Sequence, residues 1–253
     1  MGGQDCTQRT DVGNDPFHFH CHPGVSCFLI CCHQVDLCLY PYDLIRLKTR
    51  LGLSSEEFLK RHVLVTEGSH PFFPGLMLKL SDKPNNPCPF LLKEGCSVYT
   101  DRPSACRTYP LERAVEKPGS NHSLRARYRM THHPYCQGHF EDRAYTVQQW
   151  EREQGLHEYN MHNDSWAEMD AFFAGNPWQG EGHAGPLQQL AFMVCFNIDG
   201  FRLYVQKNHI IQQYKIEKAW KQRIRRDDGA LLLFGYQWLR TVLGGKSMLV
   251  QRS

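Results

Sequence analysis

Seven of the chain's eleven cysteines fall in two short stretches, residues 21–32 (CHPGVSCFLICC) and residues 88–106. So dense a set of thiols restricts the fold more than any other feature, because it must end in disulfides, on metal or in a core. The first stretch closes on the adjacent pair Cys31 and Cys32. Neighbouring Cα atoms are about 3.8 Å apart across a trans peptide, below the usual disulfide separation of about 4.4–6.8 Å. A bond inside that pair would be strained and easily reduced. An odd total also departs from the even, spread-out pattern of a small secreted disulfide scaffold. Residues 1–16 are polar, lack the apolar run of a secretory signal and read as a flexible lead-in; Cys6 stands where a myristoylation motif has Ser or Thr. The expectation is a cytoplasmic protein whose thiolates are held by metal. Burial as small hydrophobes is a competing account of CFLICC alone, and it loses ground once Cys21 and the second group are included.

Thiolate-rich sites suit zinc or iron–sulfur clusters, since soft ligands select those metals. The candidate ligands are Cys21, Cys27, Cys31, Cys32, Cys88, Cys96 and Cys106, with Cys136 in HHPYCQG as the eighth. Eight thiols suffice for two four-thiolate sites, or for one site with spares, and the sequence does not pair them. If the segment after Cys27 is helical, Cys27 and Cys31 share a face and Cys32 points about 100° away. An irregular loop, or different roles for Cys31 and Cys32, is the alternative. DRPSACR reads as a helix start, with Asp101 at the N-cap, Pro103 in the first turn and Cys106 on the helix. Arg102 and Arg107 could offset the negative charge of a thiolate site, although ordinary surface arginine is an equal reading. His18, His20, His22, His33, His132 and His133 flank the cysteines and read as supporting donors or surface residues rather than ligands. Cys195, in LAFMVCF, reads as core.

The succession CF…CC, then LYPYDLIRLKTRLGLSSEEFL, then CPFL…GCSVYTDRPSACRTYPL resembles the bacterial YkgJ-type cysteine-cluster family, densely over about residues 17–160. That family is described as zinc- or iron-chelating, and its members are often described as iron–sulfur-cluster-containing proteins. Here the first group departs from the family's usual spacing, near C-x2–3-C-x2-C-C, with gaps of five and three, and Cys21 carries that departure. Cys38 falls where the family has another residue. The paired cysteines and the many thiols fit an iron–sulfur cluster better than zinc, since a zinc-finger C-x2-C…C-x2-C arrangement is absent, and the expectation is a redox or electron-transfer role with a protein redox partner. It leaves two alternatives: a zinc-stabilised protein-binding module, and a protein lysine N-methylase-like methyltransferase, whose cysteine pattern is similar.

Beyond the cysteines the pattern is helical. Helices are expected from about Tyr42 to Leu51, ended by Gly52, and over SSEEFLKRH with Ser54 and Glu57 as a capping box. LMLKL (residues 76–80) and RARYRM (residues 125–130) read as strands, and PNNP as a turn. From Asp142 onward two helices split at Gly155, and two or three more follow the loop at residues 175–186. The expected fold is α+β, mostly α: a flexible tail (1–16), a metal-organised region with few short strands (17–140) and an α-helical region packed on it (141–253). A net charge of +3 is too weak to argue for nucleic acid. ALLLFGYQWLRTVL, interrupted by Gly235, Gln237 and Arg240, is too short for a membrane span. No phosphate-binding loop, dinucleotide fingerprint, nucleophile elbow or HExxH motif is present.

Overall fold

The structure is a computed structural model and describes residues 8–13, 15–116 and 125–252. In chain order its elements are strands β1 (Gln8–Asp11) and β2 (Phe17–His18), helices α1 (Pro41–Leu51) and α2 (Ser55–His62), strands β3 (Val63–Thr66), β4 (Gly75–Leu78), β5 (Leu91–Leu92) and β6 (Gly95–Cys96), helix α3 (Ser104–Thr108), strands β7 (Leu111–Glu116), β8 (Arg125–His132) and β9 (Ala144–Tyr145), and helices α4 (Val147–Glu153), α5 (Leu156–Ala174), α6 (Pro186–Phe196), α7 (Ile198–Lys207), α8 (Lys218–Arg226) and α9 (Asp228–Val242). Among the described residues helices outweigh the small sheets, so the fold is α+β and mostly α, with the cysteines gathered in the N-terminal half. No helix among the described residues is long and apolar enough to cross a membrane.

Local chemistry explains most boundaries. Pro41 opens α1 where its missing N–H costs little, and Asp43 Oδ2 accepts the Tyr40 N–H at 3.0 Å. Gly52, at φ 65°, closes it in the left-handed region that an ordinary side chain avoids. Ser54 and Glu57 exchange the reciprocal bonds of a capping box at the start of α2. The last part of the chain forms four helices rather than two or three. Asn197 accepts the Gly200 N–H and Asp227 accepts the Ala230 N–H, and these two caps break each apolar run in half.

The described residues gather into two compact units, one from residues up to 37 and 80–160, the other from 38–79 and 161 onward. The units group α1 and α2 with the C-terminal helices. The reason is apolar: α1 and α2 bury Leu44, Leu47 and Phe58, and the surfaces that cover them are those of α6, α7 and α9. In the first unit β1, β8 and β7 form an antiparallel sheet, with Leu111 opposite Met130, both buried. Residues 8–11 therefore belong to a strand, although the sequence reads them as lead-in; residues 1–7 and 14 of that segment lie outside the described residues. The core of this unit is Phe17, Phe19, Leu111, Met130, Tyr145, Trp150 and Leu156, together with Cys27 and Cys136.

In the second unit an ion network joins α1, α2, α7 and α9. Lys48 Nζ lies 2.8 Å from Asp199 and 2.9 Å from Asp228, and Asp199 also accepts the N–H and hydroxyl of Ser55 at 2.7 and 2.9 Å. Burial alone would raise the Asp199 carboxyl, but Lys48 and Ser55 outweigh it and hold the group below its ordinary 3.8. A depressed carboxyl contributes stability that is present above the unfolded-state value and lost as pH falls through the folded one. Asp199→Asn is therefore expected to cost about 1–2 kcal/mol at pH 7, discounted because the carboxylate is partly exposed. In urea denaturation the gap from the parent chain should shrink below about pH 4; a gap independent of pH would contradict this account.

Candidate metal centre

The loop carrying the first cysteines is not a regular helix. Leu29 takes φ 68° and only one 3₁₀ turn follows, Ile30–Cys32. Cys27 and Cys31 are thus not placed on one helical face, and the irregular-loop alternative describes the segment. The Cys88 N–H donates to the Cys32 carbonyl at 2.8 Å, which stitches the second cysteine group to the first. Cys96 ends β6 of a two-stranded hairpin. Cys106 lies on α3 as expected, but α3 begins at Ser104 with Pro103 as its N-cap, and Asp101 instead ends a separate 3₁₀ turn. The Arg102 backbone, at ψ 149°, is extended, as a residue before proline must be, and this breaks the two turns apart. The Gln137 N–H donates to Cys27 Sγ at 3.1 Å, bringing the Cys136 segment onto the first loop.

All eight candidate cysteines interact within this unit. Cys21 feels Cys31, Cys27 and Cys136, Cys32 feels Cys31, Cys88 and Cys106, and Cys88 feels Cys96 and Cys31. Burial, then these like charges, pushes the Cys21 thiol up to about 11. A hydrogen bond from Cys32 outweighs burial at Cys31 and lowers that thiol to about 7, while Cys32 is pushed up by the same bond. Cys31 therefore ionises before its neighbour. Burial raises Cys88, Cys96 and Cys136, the last partly offset by the Tyr109 hydroxyl. Cys38 and Cys195 lie in the other unit; Cys195 is buried at 2% exposure, in keeping with its reading as core. Cys6 lies outside the described residues.

Arg102 brings positive charge to the thiols, and it and Arg107 are both locked in place. Arg107 donates to the carbonyls of Gln154 and Thr100, both at 2.5 Å, with its guanidinium over the Tyr159 ring. Arg102 donates to the Tyr99 carbonyl at 2.7 Å and to Gln154 Oε1 at 2.5 Å, and it faces Cys96 and Cys106. Burial lowers Arg102 from its usual value, which leaves it a cation. Both are buried, so neither is the surface arginine that the sequence allowed equally. Trp150 completes the frame by donating to the Thr108 carbonyl at 2.9 Å. Sequence reasoning missed Trp150, Gln154 and Tyr109, which have no spacing signal because their partners lie far along the chain. An ammonium cannot reproduce the planar fork of a guanidinium. Arg107→Lys is expected to cost about 1–3 kcal/mol in denaturant unfolding; an unchanged midpoint would mean that the paired carbonyls do not need it.

The histidines separate. His33 sits with Nδ1 3.2 Å from the Leu29 carbonyl, and His139 packs between Phe19 and His132. His20 and His22 face Glu141; among the described residues these three form the group of metal-capable side chains whose ligand atoms all lie within 4.8 Å.

Neither the curated proteins nor the solved structures contain a match to this chain. Residues 20–137 match the family model CxxCxxCC, described as "Putative zinc- or iron-chelating domain". That span holds all eight candidate cysteines, and the match supports a cysteine-cluster domain in this part of the chain.

Proposed function

We propose that the chain is a cytoplasmic, YkgJ-type iron–sulfur protein with a redox or electron-transfer role, serving a protein redox partner. The observation that carries this reading is the gathering of eight thiols from four separated segments around Cys31, Cys32 and Arg102. Cys21, Cys27, Cys31, Cys32, Cys88, Cys96, Cys106 and Cys136 would hold the metal. Bound there, an iron–sulfur cluster would supply one-electron chemistry.

The adjacent pair Cys31–Cys32 and the number of thiols support a cluster over a single zinc ion, whose C-x2-C…C-x2-C arrangement is absent from the sequence. The residues do the rest. Arg102 would offset the excess negative charge, and the low Cys31 thiol supplies a ready thiolate. The family description also admits zinc, which would make the unit a metal-stabilised binding module.

Anaerobic purification is expected to give a brown protein with iron and acid-labile sulfide in equal amounts, bleached by reduction. Colourless protein with stoichiometric zinc would favour the binding module. Cys31→Ser and Cys106→Ser should each lower the metal content, whereas Cys38→Ser and Cys195→Ala should leave it unchanged. Metal content that ignores Cys31 would mark that thiol as free.

A further inference from the structure

Residues 17–20 run antiparallel to the segment that ends at Tyr145. Phe17 pairs with Tyr145, the Phe19 N–H donates to the Arg143 carbonyl at 2.9 Å, and the His20 N–H donates to the Gly138 carbonyl at 2.9 Å. A β-carbon at Gly138 would stand 2.9 Å from the Phe19 ring, so this close approach requires glycine there. The pairing fixes His20 and His22 opposite Glu141. Alternate residues of an extended chain share a side, and the two imidazoles do so, with ring centroids 4.6 Å apart. His22 Nε2 lies 3.0 Å from Glu141 Oε2, and the ligand atoms of all three side chains lie within 4.8 Å.

We propose that His20, His22 and Glu141 form a second metal site, built without thiols, for a borderline divalent cation such as Zn²⁺. Two imidazoles and a carboxylate are a zinc ligand set that leaves a fourth position for water. With metal–ligand bonds of about 2.0–2.1 Å, neighbouring tetrahedral ligands stand about 3.3 Å apart. The His22–Glu141 pair needs to open by only a few tenths of an ångström from its 3.0 Å separation. Both side chains are about one-third exposed, at 35% and 36%, which gives a cation a path from solvent. In the metal-free site Nδ1 of His22 accepts the Gly24 N–H at 3.1 Å, so the ring proton sits on Nε2 and is donated to Glu141. A cation at Nε2 takes the lone pair of the other tautomer. The proton moves to Nδ1, and the exposed Gly24 N–H turns to water. No net proton is lost from the imidazole, and the carboxylate exchanges a hydrogen bond for a metal bond. His20 and His22 lie inside the span that matches the family model, residues 20–137, and Glu141 lies just beyond its end.

The test is a Co²⁺ titration of the tag-free full chain, carrying whatever metal its thiols hold, followed by visible absorption. One equivalent is expected to bind with ligand-field bands and without sulfur-to-cobalt charge transfer. His20→Ala and His22→Ala should each weaken it at least about tenfold, as should Glu141→Gln, which keeps an acceptor for His22 and so guards against misfolding as the cause. Cys106→Ser should leave it unchanged, even where the thiol-bound metal is lost. This separates the proposal from the iron–sulfur reading, which iron and sulfide content tests on the same samples. Extra cobalt with sulfur charge transfer, no extra cobalt, or binding indifferent to both histidine substitutions would overturn the second site.

Discussion

The Arg107 guanidinium, clamped between the Thr100 and Gln154 carbonyls, is the interaction on which the thiol-bearing unit depends. The cysteines sit on loops, a 3₁₀ turn, a two-stranded hairpin and a five-residue helix, none of which is stable alone. Something other than secondary structure must fix them. Charged hydrogen bonds are worth about 1.5–3 kcal/mol each, and Arg107 makes two to backbone that would otherwise be free to move. Arg102 reaches the same Gln154 through its side-chain oxygen. Residue 154, where α4 ends, is thus the anchor for both cations, and α4 is held in turn by Trp150 in the core. The positive charge that Arg102 brings to Cys96 and Cys106 is therefore placed by the aromatic core.

How much of this was legible follows from how local each cause is. The helices α1 and α2 could be read with their ends, because Pro41, Gly52, Ser54 and Glu57 act within a few residues of themselves. Strand β8 could be read from its alternation. Strand β1 could not: its four residues are exposed, and only pairing with β8, more than a hundred residues away, makes them extended. The interleaving of the two units was hidden for a related reason. Nothing in α1 says which later helices will cover Leu44 and Leu47.

The thiols were legible as a set because cysteine is rare and its clustering has few explanations. Their irregular backbone was legible only as an alternative, since the left-handed Leu29 has no sequence signature. Arg107 could be named but not placed. As a residue type it is compatible with any surface, and its burial depends on carbonyls at Thr100 and Gln154 that a linear reading does not bring together. Glu141 was invisible for the same reason: its partners are about 120 residues upstream, across an antiparallel pairing of two short segments.

Cys27 and Cys136 show how folding and the proposed metal binding would be coupled in this unit. Both belong to the apolar core, packed with Phe19, Trp150 and Leu156, and both stand among the thiols proposed to hold metal. A core position favours a neutral thiol, and burial raises Cys136 accordingly. A ligand position needs the thiolate. A bound cation would supply the charge that the core lacks, so binding at Cys136 would release a proton that burial favours keeping. The apolar packing of Phe19, Trp150 and Leu156 has no titratable group of its own, so acid would act on such a site before it acts on the packing beneath it.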